Sequence, residues 1–399
     1  MPFADELNQR LAALREQGLY RELRRVDSAP GPRIEIGGKT FLNFSSNDYL
    51  GLGNHPALKA AAVRAVEKFG AGAGASRLVC GSLAPFHELE EALAAFKATE
   101  AALTFATGYA TALGIITALL GKDDVLITDK LIHASIVDSA RLCGAKLRIF
   151  AHNDLNDLEA ILKWADETRR AGRQARNNNP SVLIVTESVF SMDGDHASLR
   201  EIVALKEKYG AWLMVDEAHA TGLYGANRRG LAEELGVSDH IEIQMGTLGK
   251  ALGASGGYVC GSRVLIDFLV NRARSFIFST APVPAAAAAA TAGVQIIQSN
   301  EGSDRTERLW QRAAELKSKI QNPKSKIVSA IIPLILGDEG QAVAAASALR
   351  ERGFFVPAIR YPTVARGAAR LRITLTADHS DDDAGKLAVA LSQIVNRQS

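Results

Sequence analysis

Six short apolar runs recur through the middle of the chain, separated by longer helical patterns: VLIT (125–128), LRIF (147–150), SVLIVT (181–186), AWLMV (211–215), IEIQM (241–245) and GYVC (257–260). Strand-length runs alternating with helices predict a wound α/β sheet. Several runs are apolar throughout, as strands are when helices cover both faces of a largely parallel sheet. Ligands of such sheets lie beyond the carboxyl ends of the strands, so chemistry is sought in the residues that follow each run.

Those residues are polar. WLMVDEAHATG carries Asp216, Glu217 and His219 past its strand, SVLIVTESVFSMDGD carries Glu187, Ser191 and Asp193, and VLITDKLIHAS carries Asp129 and His133. One acid alone would read as a cap on the next turn. Two acids and a histidine within four residues read better as a polar rim on one edge of the sheet. A metal is a weaker occupant, because the chain has no HExxH or DxDxDG motif and no histidine pair at i, i+4.

The stretch GTLGKALGASGGY (246–258) places Lys250 among five glycines. Gln244 and Ala251 break the P-loop pattern around that lysine, and in GAGAGAS (70–76) the third glycine of a dinucleotide fingerprint falls on Ala75. A lone lysine is normally solvated, so its company decides the reading. Pyridoxal phosphate (PLP) requires a lysine for its aldehyde, a carboxylate for its pyridine nitrogen, and hydroxyl and backbone donors for its phosphate. Lys250, Asp216, and Ser191, Thr247 and Gly108 match that inventory. Gly108 stands where the helix pattern of ATGYATALGIITALL (106–120) begins, the place for backbone N–H groups to meet a phosphate. The glycines around Lys250 are expected to leave the lysine room to swing.

At 399 residues the chain exceeds the ~250–300 at which one core stops growing, which predicts a large and a smaller domain. The expected division is an N-terminal helix and arm at 1–45, a large domain at 46–284, and a linker helix with a small α+β domain at 285–399. In FSTAPVPAAAAAATAGVQII, Ser279 or Thr280 is the expected cap and Pro284 the opening of a bridging helix. A run at 326–336, a helix near 340–352, a strand at 370–376 and a closing helix make up the small domain, and polar 171–180 reads as a surface loop. A net charge of +2 gives no case for nucleic acid or anionic membrane, and the expected partner is a small molecule. Cys80, Cys143 and Cys260 form no CxxC pair, so a reducing cytoplasm is expected, and no stretch reaches the ~18 apolar residues of a membrane span.

Together, LNFSSNDYLGL (42–52), GASRLVCGS (74–82), TESVFSMDGD (186–195), VDEAHATG (215–222) and GTLGKALGASGGY make a chain that resembles, over nearly its whole length, the α-oxoamine synthases. These are PLP-dependent acyltransferases of the aspartate-aminotransferase fold. The resemblance implies fold type I: a large domain with a mostly parallel seven-stranded sheet flanked by helices, plus a smaller α+β domain. It implies Lys250 as the lysine bonded to the cofactor, Asp216 as partner of the pyridine nitrogen, His219 as donor to the phenolic oxygen and His133 as the ring's stacking partner. Gly108, Tyr109, Ser191 and Thr247 would hold the cofactor, with Ser279 or Thr280 reaching the phosphate in the neighbouring subunit of a homodimer with shared sites.

For substrate, the resemblance points to Arg21, Asn47, His133, Thr363 and Arg372, whose guanidinium suits a carboxylate. Without it, Arg21 in RELRR reads as a solvated helix face. FAHNDL (150–155) and AIRYPTVARGAARLRITLT (358–376) point to the branch that makes the biotin precursor. Its substrates are L-alanine and a pimeloyl thioester of coenzyme A or acyl carrier protein. The glycine C-acetyltransferase, 5-aminolevulinate synthase and serine palmitoyltransferase branches would share every cofactor residue. Tyr361 and Ala365 stand where relatives commonly carry proline, a departure beside the expected acyl pocket.

Overall fold

Each of the six apolar runs becomes a strand in the computed structural model, which describes residues 2–176, 180–320 and 329–395. The chain divides into two compact units, Leu52–Ser191 with Asp195–Thr306, and Met1–Gly51 with Met192–Gly194 and Glu307–Ser399.

The larger unit is built on a seven-stranded sheet. Its order across the sheet is Ala101–Phe105, Gly257–Gly261, Ile243–Thr247, Trp212–Asp216, Val182–Glu187, Val125–Asp129, Lys146–Phe150. The Gly257–Gly261 strand opposes both its neighbours and the pairings beyond Ile243–Thr247 are parallel, so the sheet is mostly parallel. Val125–Asp129 and Val182–Glu187 are buried at every position, as strands covered on both faces must be. The edge strand Lys146–Phe150 is different: Lys146, Arg148 and Ile149 are exposed, and charged side chains there discourage edge-to-edge pairing. Leu126, Leu183, Val185, Met214, Met245 and Val259 form one core with Ile115, Ile116, Ile136 and Leu269 of the covering helices.

The seventh strand, Ala101–Phe105, was not foreseen among the apolar runs. Its AALTF follows the helix Ala84–Lys97 so closely that the two apolar patterns merge, and the helix stops on Ala98 at φ 53°, without the glycine that usually marks such an end. Three other expectations need correcting. The helix Pro284–Gln298 is preceded at its cap by Val283, with no side-chain cap bond, because Thr280 lies upstream in a bridge to Ser76. That helix packs on Pro56–Phe69 and Ala84–Lys97, and Gly293 lets it approach the Leu252 carbonyl. Passage to the smaller unit falls in the next helix, Asn300–Lys319. Of the stretch read as a loop, 171–176 continue the helix Leu155–Arg176, whose Ala, Arg and Gln are good helix formers, while 177–179 lie outside the described residues.

The smaller unit holds an antiparallel sheet ordered Ile331–Gly337, Ala369–Thr374, Ala358–Ile359 and a second sheet ordered Arg33–Ile36, Lys39–Asn43, Phe354–Phe355. Residues 326–328 of the expected apolar run lie outside the described residues. The helix Glu339–Glu351 is capped by Asp338, whose Oδ1 accepts the Gln341 N–H at 2.8 Å. His379 ties the sheets' ends: its Nδ1 accepts the Thr376 N–H at 3.1 Å, its Nε2–H donates to the Asn43 carbonyl at 3.0 Å, and its ring stacks on Phe44. Neutral imidazole suits both bonds, and burial lowers the ring's pKa to about 4.

Candidate active site

A cavity of about 190 Å³ in the larger unit opens at the carboxyl ends of its strands, lined by Lys250, Asp216, His219, His133, Gly108, Tyr109 and Thr247 among others. All seven are candidates of the sequence analysis, although they come from three separate strand ends and one helix start.

Asp216 ends its strand, and its Oδ1 accepts the Ala218 N–H at 2.9 Å. Burial pushes its carboxyl pKa up, against the pull of Lys250. A carboxyl group so buried is matched by a cation placed against it, the part a protonated ring nitrogen plays. Lys250 Nζ lies 2.8 Å from His219 Nε2, so lysine and histidine already share one corner of the cavity. His133 has two positions of use. Its Nδ1 accepts from the Ser135 N–H at 3.2 Å and from the Ser135 hydroxyl at 2.8 Å, capping the helix Ala134–Cys143, while its ring lines the cavity. Burial lowers the His133 pKa, with Asp216 opposing and Lys250 adding to the fall; an Nδ1 that accepts a backbone N–H carries no proton, so the ring is neutral. Capping and site readings of this histidine are compatible.

Gly108 opens the helix Gly108–Leu119, and the Thr107 hydroxyl caps it by accepting the Ala110 N–H at 3.0 Å. The first-turn N–H groups of such a helix have no intrahelical acceptor and attract an anion. The Tyr109 hydroxyl donates to Asp138 Oδ2 at 2.6 Å. Thr247 Oγ1 donates to the Gly256 carbonyl at 3.0 Å and accepts the Gly249 N–H at 3.3 Å. The glycines of this stretch serve close packing more than lysine mobility: a Cβ on Gly257 would come within 2.7 Å of Gly108, and one on Gly253, at φ +68°, within 2.6 Å of the Leu52 backbone.

Two expected cofactor residues do not line the cavity. Ser191 is buried, its N–H donating to Glu187 Oε2 at 3.1 Å. Thr280 is exposed, in its bridge to Ser76, and Ser279 beside it is exposed too. Conversely, Ser135 and Glu187 line it without having been assigned a role. The signal for Glu187 was its place in the polar rim. What sequence could not supply is its partner: Glu187 stands in register with Asp216 on the adjacent parallel strand. Burial first, and Asp216 second, push the Glu187 pKa up to about 8.

The expected substrate residues other than His133 lie in the smaller unit. Arg372 is buried, and both its Nη atoms donate to Asn47 Oδ1 at 3.1 Å, so these two are brought together. Arg21 is exposed in a stretch outside any helix, which removes the helix-face reading of RELRR. Its neighbour Tyr20 accepts from Arg360 Nη2 at 2.7 Å through its carbonyl, tying that stretch to the turn that carries the exposed Thr363.

The cavity thus offers a lysine, a buried carboxylate, one histidine beside the lysine, one neutral histidine and a helix N-terminus, a donor set that fits PLP. The family model of class I and II aminotransferases matches residues 39–391. An 8-amino-7-oxononanoate synthase of Geobacter sulfurreducens is 48% identical over 394 residues, covering 98% of this chain and 97% of that protein. A serine palmitoyltransferase variant from S. paucimobilis with a bound PLP–myriocin aldimine superimposes with a TM-score of 0.89 at 30% identity, over 98% of this chain and 97% of that one. For an 8-amino-7-oxononanoate synthase from Francisella tularensis the TM-score is 0.75 at 28% identity, over 90% of this chain and 98% of that one. The chain belongs to the aminotransferase class I and II family and is a PLP-dependent acyltransferase.

Proposed function

We propose that the protein condenses L-alanine with a pimeloyl thioester, carried by coenzyme A or acyl carrier protein, to give 8-amino-7-oxononanoate, carbon dioxide and the free thiol, a step of biotin synthesis in the cytoplasm. The observation that carries this reading is the 48% identity to an 8-amino-7-oxononanoate synthase across nearly the full length of both chains. In the net reaction the alanine Cα exchanges its carboxylate, released as carbon dioxide, for a bond to the acyl carbon; the proton it gives up is replaced by one taken back after the carboxylate leaves, and the acyl carbon releases the thiolate.

Bound PLP supplies an aldehyde carbon that bonds amines and a protonated ring that accepts the electron pair released at Cα. Lys250 would tether it and then, as a released amine, take the Cα proton. Asp216 would keep the proton on the ring nitrogen, and its buried, hydrogen-bonded place suits a fixed counter-charge. His219 would donate to the phenolic oxygen, and neutral His133 would cover the ring face. Gly108, Tyr109, Ser191 and Thr247 are the proposed holders of the remaining groups. Arg372, oriented by Asn47, is the proposed carboxylate fork, with Arg21 and Thr363 assigned to the acyl substrate.

The same reading includes a homodimer with shared sites, to which Thr280 would contribute. Supporting it, the bridge between Ser76 and Thr280 and the bond from the Ala281 N–H to the Ala75 carbonyl bring two segments together. They carry the exposed Leu78, Val79, Phe278 and Val283. Sedimentation of the wild type at the dimer mass, and of Phe278→Glu as monomer, is the expected result; a monomeric wild type would refute the dimer.

The reaction is tested by measuring thiol release with alanine, glycine and serine, each crossed with acetyl, succinyl, pimeloyl and palmitoyl thioesters. Alanine with pimeloyl is expected to turn over fastest. Preference for serine with palmitoyl, the pairing suggested by the serine palmitoyltransferase likeness, would overturn the proposed substrates while leaving the cofactor in place.

A further inference from the structure

We propose that Glu187 is a positioning residue of this site, a neutral carboxylic acid that hydrogen-bonds the Asp216 carboxylate from the adjacent strand and so aims its charge at the cofactor's ring nitrogen. In-register neighbours on parallel strands lie about 4.8 Å apart and project to the same face, so the two carboxyl groups stand side by side. Both line the cavity. Glu187 is 2% exposed, and while its Oε2 takes the Ser191 N–H, its Oε1 has no hydrogen-bond partner among the described residues. A bare carboxylate oxygen in such a place is costly, whereas a hydroxyl there is a donor on the same sheet face as the in-register carboxylate of Asp216.

The charges facing Glu187 are of both signs. Asp216 approaches from the neighbouring strand and Lys250 from beyond the next one, while the backbone N–H of His133 at the helix start favours the charged form. On the other flank, Asp129 accepts from the Leu131 and Asn153 N–H groups and is paired with His152. His133 is neutral, so two carboxyl groups share the charge of Lys250, and like charges side by side leave one of them protonated. Asp216 takes the Ala218 N–H and feels Lys250 most among its opposing influences, which makes it the ionised member. The upward push on Glu187 agrees with that assignment. A donor locked on one oxygen of Asp216 leaves its other oxygen for the ring nitrogen.

The inference rests on PLP being held in this cavity and is independent of the acyl group. Its test therefore uses no substrate. Infrared difference spectra of apo-protein at neutral pH, wild type minus Glu187→Gln, are expected to show the carbonyl stretch of a protonated carboxylic acid. In Asp216→Asn that band is expected to titrate away at lower pH, because the neighbouring charge is gone. In parallel, PLP affinity is read from the cofactor's absorbance. Glu187→Gln, which keeps a donor, is expected to stay within about threefold of wild type, and Glu187→Ala to bind about tenfold more weakly, the loss of one hydrogen bond. Circular dichroism confirms that each variant is folded. Identical infrared spectra, or equal affinities for Gln and Ala variants, would overturn the proposal. Failure of wild type to bind PLP would instead overturn the cofactor reading.

Discussion

Between pH 6.5 and about pH 10 the protein is expected to lose on the order of 3 kcal/mol of stability through one side chain, His152. Its Nδ1 lies 3.0 Å from Asp129 Oδ1, its Nε2 lies 2.7 Å from Asp195 Oδ2, and its ring meets Phe190 edge-on. Burial opposes a charged imidazole here, but its hydrogen bonds to two carboxylates outweigh that and raise the pKa from 6.5 to about 10. Since the folded value lies above the unfolded one, the stabilisation is fully present below pH 6.5 and disappears as pH rises through about 10. At about 1.4 kcal/mol per pKa unit the shift corresponds to roughly 5 kcal/mol, which solvent screening reduces toward ~3. The side chain is 23% exposed, enough for that discount. Urea denaturation of wild type and His152→Gln from about pH 6 to about pH 10 isolates the effect, because other titrations are common to both. The stability gap between the two proteins is expected to close across that window. Parallel curves would refute the reasoning.

The buried ion pair of Lys97 and Glu217, both at or below 1% exposure, is further bound to the Arg229 carbonyl and the Ala232 N–H. Lys97→Met is expected to cost about 3–5 kcal/mol in urea denaturation, with much of that recovered in the double variant with Glu217→Gln; a double variant as unstable as the single one would contradict this. Lys250→Ala is expected to abolish turnover and the absorbance of lysine-bound cofactor, and retained activity with alanine would remove Lys250 from its role. Arg372→Ala, which deletes the fork now held by Asn47, is expected to lower kcat/KM for alanine by about 10–100-fold while PLP binding persists. An unchanged kcat/KM would place the carboxylate elsewhere.

The amino-acid sequence by itself determined the six apolar strands, the helix beginning at Gly108, and the order in which Lys250, Asp216, His219 and His133 follow their strands. Those features are local: periodicity, punctuation and the residue after a strand depend on neighbours in the chain. Tertiary structure decided which neighbours those strands acquire. It turned Gly257–Gly261 against its neighbours and inserted Ala101–Phe105 beside it. It also sorted the polar rim into different duties. Asp129 went to His152, Glu217 to Lys97, and Glu187 to the side of Asp216. Each of these pairings joins residues at least 23 positions apart, the shortest being Asp129 with His152. Such partners are chosen by the packing of strands and covering helices, where burying a charge without an opposite or a donor is prohibitive, and no local pattern records that choice.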